Sequence, residues 1–310
     1  MKTAYITHKD CQLHKMFEGH PETPGRLVAI HDQLQKDHLW DFLQHYEAPE
    51  ADRAALLRVH TASYVNYVFQ HAPGADQALF EIDPDTYMNE HTLSAARRAA
   101  GAGMLAVDLM LEQKVQNAFC AVRPPGHHAE PDKGMGFCFF NNVAIAAAYA
   151  LDVCGLERVA IVDFDVHHGN GTEAIFIDDP RVLICSSYQH PFYPYSGGST
   201  IPGHLINTPL PAGAAGPEFR MAVQQTWLPE LEAFAPQLVF ISAGFDAHWQ
   251  EQIAQLQFNE ADYAWASKKL LEIASRSADG RVVSMLEGGY ALAALSNSVE
   301  QHLRVLMGLD

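Results

Sequence analysis

Short runs that are apolar at every position alternate, along most of this chain, with longer stretches in which apolar residues recur every three or four positions. The runs cover residues 119–122, 159–162, 182–185, 238–241 and 282–286. With no polar face, they predict strands covered on both sides. The stretches of helical period, 92–113, 142–153, 218–235 and 259–275, predict the connecting helices. This alternation is the pattern of βαβ units, so the expected fold is α/β, with a central, mostly parallel sheet flanked by helices on both faces.

Local signals refine the pattern. Asn141 or Asn142 is placed to cap the second helix and Asn259 the fourth, while Pro229 is expected to kink or divide the third. Residues 1–6 predict a first strand, not a signal h-region; 24–38 and 52–69 predict two early helices, the latter broken near Thr61. Gly and Pro thicken between Pro191 and Pro217, which predicts a long irregular loop of the kind that shapes a site. His8, His14, His31 and His60 read as turn or surface residues.

Among 310 residues, 48% hydrophobic and 18% charged, no linker, charge block or internal repeat divides the chain, so residues 1–310 are expected to form one domain. No run of about 18 apolar residues argues for a membrane span. Five widely separated cysteines with no CxxC pair fit a reducing compartment, and a cytoplasmic location is expected. The net charge of −17 argues against binding nucleic acid. Nothing here signals an oligomeric state.

The chemistry gathers where the strands end. Residues 119–122 run into "RPPGHHAE" with His127 and His128, and 159–162 into Asp163, Asp165 and His167. Residues 238–241 run into "SAGFDAH" with Asp246, and 282–286 into "EGGY" with Tyr290. In a parallel sheet, ligands bind outside the carboxyl ends of the strands, so four strands deliver reactive side chains to one edge. On an extended segment Asp163, Asp165 and His167 would point one way, with Phe164 and Val166 facing the packing. Two carboxylates and an imidazole, Asp165, His167 and Asp246, suit a divalent metal site with open positions better than a closed, Cys-rich structural one.

With these residues in view, the sequence resembles the arginase-like deacetylase superfamily, meaning zinc-dependent histone deacetylases and bacterial acetylpolyamine amidohydrolases. The motifs are "HPETPGR", "VHTASYV", "RPPGHHAE", "GFCFFNN", "VDFDVHHGNGT", "SAGFDAH" and "LEGGY", in the family's order over nearly the whole chain. The resemblance implies one catalytic Zn2+ on Asp165, His167 and Asp246. It implies His127 and His128 as tandem catalytic histidines, Asp163 as the carboxylate holding the first, and Tyr290 as donor to the substrate carbonyl. Gly136, Phe137 and Tyr193 match the acyl-lysine tunnel. A structural K+ is implied near Asp163, Asp165, His167 and Ser186. Asn170 stands where some members carry a second histidine-orienting aspartate, which makes the chain class II-like and His128 the less basic histidine.

An arginase-type binuclear site would want carboxylates where this chain has Gly169 and His248. A non-catalytic metal-binding module of the same fold would not need His127, His128 and Tyr290. The resemblance therefore implies a deacetylase acting on an acetylated lysine or an acetylated polyamine. Some polyamine-selective relatives place an acidic gatekeeper at the position of Ile253, with Glu251 close by here, which tilts the expectation toward acyl-lysine.

Overall fold

Burial explains why the strands read as apolar runs: in Val159–Asp163, Val239–Ala243 and Val282–Leu286 every residue is buried. The computed structural model describes residues 2–309. Its strands in chain order are β1 (Thr3–Thr7), β2 (Gln44–Glu47), β3 (Phe80–Asp83), β4 (Thr86–Met88) and β5 (Asn117–Cys120), then β6 (Val159–Asp163), β7 (Val182–Gln189), β8 (Leu205–Leu210), β9 (Val239–Ala243) and β10 (Val282–Leu286). Eight of them form one sheet in the order β2-β1-β5-β10-β9-β6-β7-β8. Every neighbouring pair in it is parallel. β3 and β4 pair antiparallel in a separate hairpin.

Strands apolar on both faces need a cover on both, and the helices supply it. Helix Leu292–Met307 packs against Gly25–Lys36 and Glu260–Ser277, and Glu260–Ser277 meets Gly216–Phe234; elsewhere Thr92–Leu111 packs on Asn142–Asp152. Asn141 caps its helix by accepting from the Ala144 amide at 3.0 Å. Asn259 and Asp262 form a reciprocal capping pair at the next predicted start. Thr61 separates helices Arg53–Leu56 and Ala62–His71, as its position predicts, by accepting from the Tyr64 amide. No helix among the described residues is long and apolar enough to cross a membrane.

Several expectations need correction. The segment predicted as an irregular loop contains β8, which pairs with β7 over six residues; Asn207, Thr208 and Pro209 interrupt its apolar pattern and hide it. β2 at the opposite edge is the polar run QHYE, half exposed, and gives no apolar signal. Helix Gly216–Phe234 passes through Pro229 undivided, with buried Trp227 and Leu231 anchoring it on either side. His14 and His60 are core residues, each with polar partners: His14 contacts Thr92 Oγ1 at 2.8 Å, and His60 bridges the Glu130 carbonyl and the Asn141 amide at 2.9 Å each. His8 is buried too. Met1, the first residue of the predicted opening strand, lies outside the described residues.

Candidate active site

Four consecutive strands in the middle of the sheet, β5, β10, β9 and β6, carry the side chains singled out above. Because all four run parallel, their carboxyl ends open on one edge, and the residues that follow them meet there. β6 ends at Asp163, and the next residues form successive bends, not the extended segment expected. Asp163 Oδ1 accepts from the Asp165 amide at 3.0 Å, and Asp165 Oδ1 from the His167 amide at 2.8 Å. Each aspartate thus turns the chain back on itself and aims the next functional side chain.

These bends separate the three residues into two groups. Asp163 takes His127 Nδ1 at 2.8 Å, while the other nitrogen of that ring stands 3.8 Å from Asp165 Oδ1. Asp165, His167 and Asp246, all buried, place one donor atom each within 4.8 Å of one another. His167 Nδ1 lies 2.9 Å from Asp165 Oδ1 and 3.3 Å from Asp246 Oδ2. Burial together with the neighbouring Asp165 charge pushes the Asp246 carboxyl up. Against a burial that would lower it, the two acids push His167 up to about 9. The pair of carboxylates thus calls for positive charge, and Asp246 Oδ2 is a buried oxygen without a hydrogen-bond partner. Two hard oxygens, an imidazole and an orphaned acceptor fit a divalent cation. Gly288, from the loop after β10, leaves room here: a Cβ on it would collide with Asp246 Oδ2.

The tandem histidines differ in their support. His127, on Asp163, is held well above the ordinary imidazole range by Asp163 and Asp165 despite complete burial. His128 is held well below it by burial and by the positive neighbours His127 and His167. Its Nδ1 lies 2.8 Å from Asn170 Oδ1, and Asn170 Nδ2 donates to Glu130 Oε1 at 2.7 Å. With the amide so oriented, His128 Nδ1 must donate, leaving the Nε2 lone pair to face the cavity. The rings of His127 and His128 stand 4.0 Å apart.

Above these groups is a cavity of about 180 Å³, with His128, His167 and Tyr290 in its lining. Phe137, Tyr193, Gly136 and Ile253 form its sides. Phe137 meets Tyr290 edge-on at 5.8 Å, and Tyr193 meets His128 at 5.3 Å. Gly136 sits at φ +55°, and a Cβ there would come within 2.5 Å of the His128 ring. Phe137 follows at φ 69°, a conformation costly for an aromatic residue and supported by the hydrogen bond its backbone N–H donates to Thr86 Oγ1 at 2.9 Å. Ser186 pairs with Asp163 in the sheet, and its Oγ is buried without a hydrogen-bond partner.

Sequence reasoning missed the residues that hold these loops. Glu287 Oε2 accepts from the Gly126 and His127 amides at 2.7 and 3.2 Å, and Glu251 Oε1 accepts from Tyr290 and Ala291. Arg26 donates to the carbonyls of Gly289 and Glu287 and stacks on the Tyr290 ring at 4.9 Å. Glu287 and Arg26 lie inside quoted motifs, a signal that was present. Pro21 and Asp85 also line the cavity; "DPDT" reads only as a turn.

The fold and this arrangement of residues are those of an α/β amidohydrolase. The histone deacetylase domain model matches residues 20–306, and the chain belongs to the histone deacetylase family, whose members are zinc-dependent amidohydrolases. It is 37% identical over 313 residues to "Histone deacetylase 10, chloroplastic" of Oryza sativa subsp. japonica, covering 94% of this chain and 70% of that protein. It is also 37% identical over 327 residues to "Polyamine deacetylase HDAC10" of Homo sapiens, covering 99% of this chain and 48% of that one. Among solved structures it is similar to the HDA15 HD domain, with a TM-score of 0.91 and 34% identity over 99% of this chain and 90% of the other.

Proposed function

We propose that this protein hydrolyses the amide of acylated lysine side chains, releasing the acid and the free terminal amine, and that residues 1–310 act as one catalytic domain. One observation carries the reading: the buried Asp165–His167–Asp246 cluster shares a narrow, aromatic-walled cavity with His128 and Tyr290. A straight aliphatic chain fits such walls, and a bulky or branched substrate does not.

Asp165, His167 and Asp246 would hold Zn2+, which when bound polarises the amide carbonyl and lowers the pKa of the attacking water to about 7. His128, neutral with Nε2 free, takes the proton from that water and returns it to the departing amine nitrogen. His127, charged against Asp163, keeps positive potential beside the reacting carbonyl. Tyr290, in the wall of the cavity, donates its hydroxyl to the oxygen on which negative charge develops. Phe137 and Tyr193 hold the chain and exclude water. The orphaned Ser186 Oγ supports a K+ beside Asp163, Asp165 and His167. Five free cysteines, four of them buried, support a reducing cytoplasm as its location.

A second reading, hydrolysis of acetylated polyamines, is favoured by Asp85 in the cavity lining and by the printed name of the human relative. The experiment compares kcat/KM for an acetyl-lysine peptide and an acetylated polyamine on the zinc-loaded protein, with His128→Ala as blank. A peptide preference lost in the variant is the expected result. A polyamine preference of about tenfold or more would transfer the protein to the second reading.

A further inference from the structure

Asn170 gives His128 a polar partner without a charge, and a side-chain amide can present either of its ends to a ring nitrogen. With the oxygen inward, Nδ1 of the ring must donate, and Nε2 keeps its lone pair for the cavity. With the nitrogen inward, Nδ1 must accept, and the proton sits on Nε2. Only the first form can take a proton from water. What chooses between them lies one step further from the cavity.

Asn170 Nδ2 has three acceptors near it among the described residues. The His128 carbonyl is distant at 3.4 Å and the Met135 thioether, at 3.5 Å, is a weak acceptor, whereas Glu130 Oε1 lies at 2.7 Å. A carboxylate has no proton to give, so it accepts from Nδ2 and rejects the opposite orientation of the amide. The bond is charge-assisted, and a chain of hydrogen bonds ending on a carboxylate polarises each member in turn. Asn170 therefore passes on part of what Asp163 gives His127 directly.

The local fold keeps the three residues in register. The Glu130 carbonyl accepts from His60 Nδ1 at 2.9 Å, because Nε2 of that ring is already the acceptor for the Asn141 amide, and the Glu130 N–H donates to the Lys133 carbonyl at 2.8 Å. From the other side, the amides of Gly171 and Thr172 donate to the His127 carbonyl at 3.1 and 3.2 Å, and a Cβ on Gly171 would strike the Ala129 carbonyl. Helix Asn170–Phe176 thus begins seated on the segment that runs from His127 to Glu130. Glu130 itself is half-buried and does not line the catalytic cavity. We propose that Glu130 is a positioning residue that acts through Asn170 to fix His128 as the tautomer with a bare Nε2. This rests on the reading of His128 as the base of amide hydrolysis, but the tautomer is observable without turnover.

The test uses the zinc-loaded protein with isotope-labelled histidine at neutral pH, where two-bond proton–nitrogen correlation spectra tell the tautomers apart and the His128 signals are those missing from His128→Ala. The wild type should carry the proton on Nδ1, a measurement available even where a variant does not fold. Glutamine at this position keeps the shape but can donate as well as accept, so in Glu130→Gln the form with the proton on Nε2 should appear. In Glu130→Ala, kcat for an acetyl-lysine peptide should fall about tenfold with KM within about twofold, as for an effect on the base alone. The same substitution made on top of Asn170→Ala should change kcat by less than about twofold, because the link is already cut. A proton on Nε2 in the wild type, or a tautomer unchanged in Glu130→Gln, overturns the proposal. An equal loss of kcat with and without Asn170 also overturns it, leaving Glu130 a merely structural part of its loop. Should no peptide be hydrolysed above the His128→Ala blank, the hydrolytic reading fails, and the two spectra alone decide whether Glu130 positions the ring.

Discussion

His128 directs its Nδ1 at the side-chain oxygen of Asn170, 2.8 Å away, so its partner is polar but uncharged. The adjacent His127 has a carboxylate in the equivalent place. Burial lowers both imidazoles; the carboxylates of Asp163 and Asp165 raise His127 above its ordinary range, whereas the positive neighbours His127 and His167 keep His128 below it.

A base must be neutral to work, so kcat/KM should fall as pH drops through the pKa of His128. Asn170→Asp puts a charge on Nδ1 and stabilises the imidazolium, so the acid limb of the pH–rate profile should move up by about one unit. A limb that stays in place would assign it to some group other than His128.

Tyr290→Phe removes the hydroxyl proposed to donate to the reacting carbonyl and leaves Asp165, His167 and Asp246 intact. Turnover should fall about 10²-fold or more while bound zinc, measured by elemental analysis, is unchanged. Near-normal turnover would remove Tyr290 from the chemistry.

Without a cation, Asp165 and Asp246 oppose each other in a buried space. Zinc at about a hundred times its Kd should therefore raise the Tm by about 5 °C, and a chelator should abolish activity. Asp246→Ala should lose both the Tm response and the activity. A Tm response equal to that of the wild type would show the ion bound elsewhere.

His302 lies in the core beneath the site, its ring packed against those of Phe164 and Phe245, between Ser267 Oγ at 2.6 Å and Ser284 Oγ at 2.8 Å. Burial lowers it to about 3, below its value in an unfolded chain. The unfolded state then binds more protons at acid pH, so stability is complete above about pH 6.5 and falls as pH drops toward 3, by at most about 1.4 kcal/mol per unit. His60, lowered to about 4, acts in the same direction. The Tm of His302→Gln should fall less steeply between about pH 6.5 and pH 4 than that of the wild type; parallel curves would locate the acid sensitivity elsewhere.

The central strands were legible because β5, β6, β9 and β10 are buried on both faces, which leaves no polar position to blur them. That their ends meet followed from parallel topology alone. The edge strands were not legible, since β2 is polar and β8 carries Asn207, Thr208 and Pro209; their pairing comes from β1 and β7, not from local preference. Helix Leu292–Met307 was overlooked although Leu295, Val299, Leu303 and Leu306 show its period and are all buried. Within the site, the residues at strand ends could be picked out by type and spacing. Glu251 and Glu287 stand in or beside the quoted motifs, but their role was not legible, because each works by accepting backbone amides from a distant loop, a relation that leaves no periodic trace.

The grip of Arg26 on the carbonyls of Glu287 and Gly289 spans more than 260 positions of sequence, from "HPETPGR" to "LEGGY". During synthesis, the early segment can pair Glu22 with Arg26 and then with Arg123, but the Arg26 contacts to Glu287 and Gly289 wait for the far motif, and Tyr290 arrives last among the site residues. Chains that lack the second motif can fill much of the sheet and still leave the site open, so closure of the site reports that both motifs are in place. The same wiring means that a break between those two motifs must be bridged by the sheet and by contacts such as those of Arg26 for the site to survive.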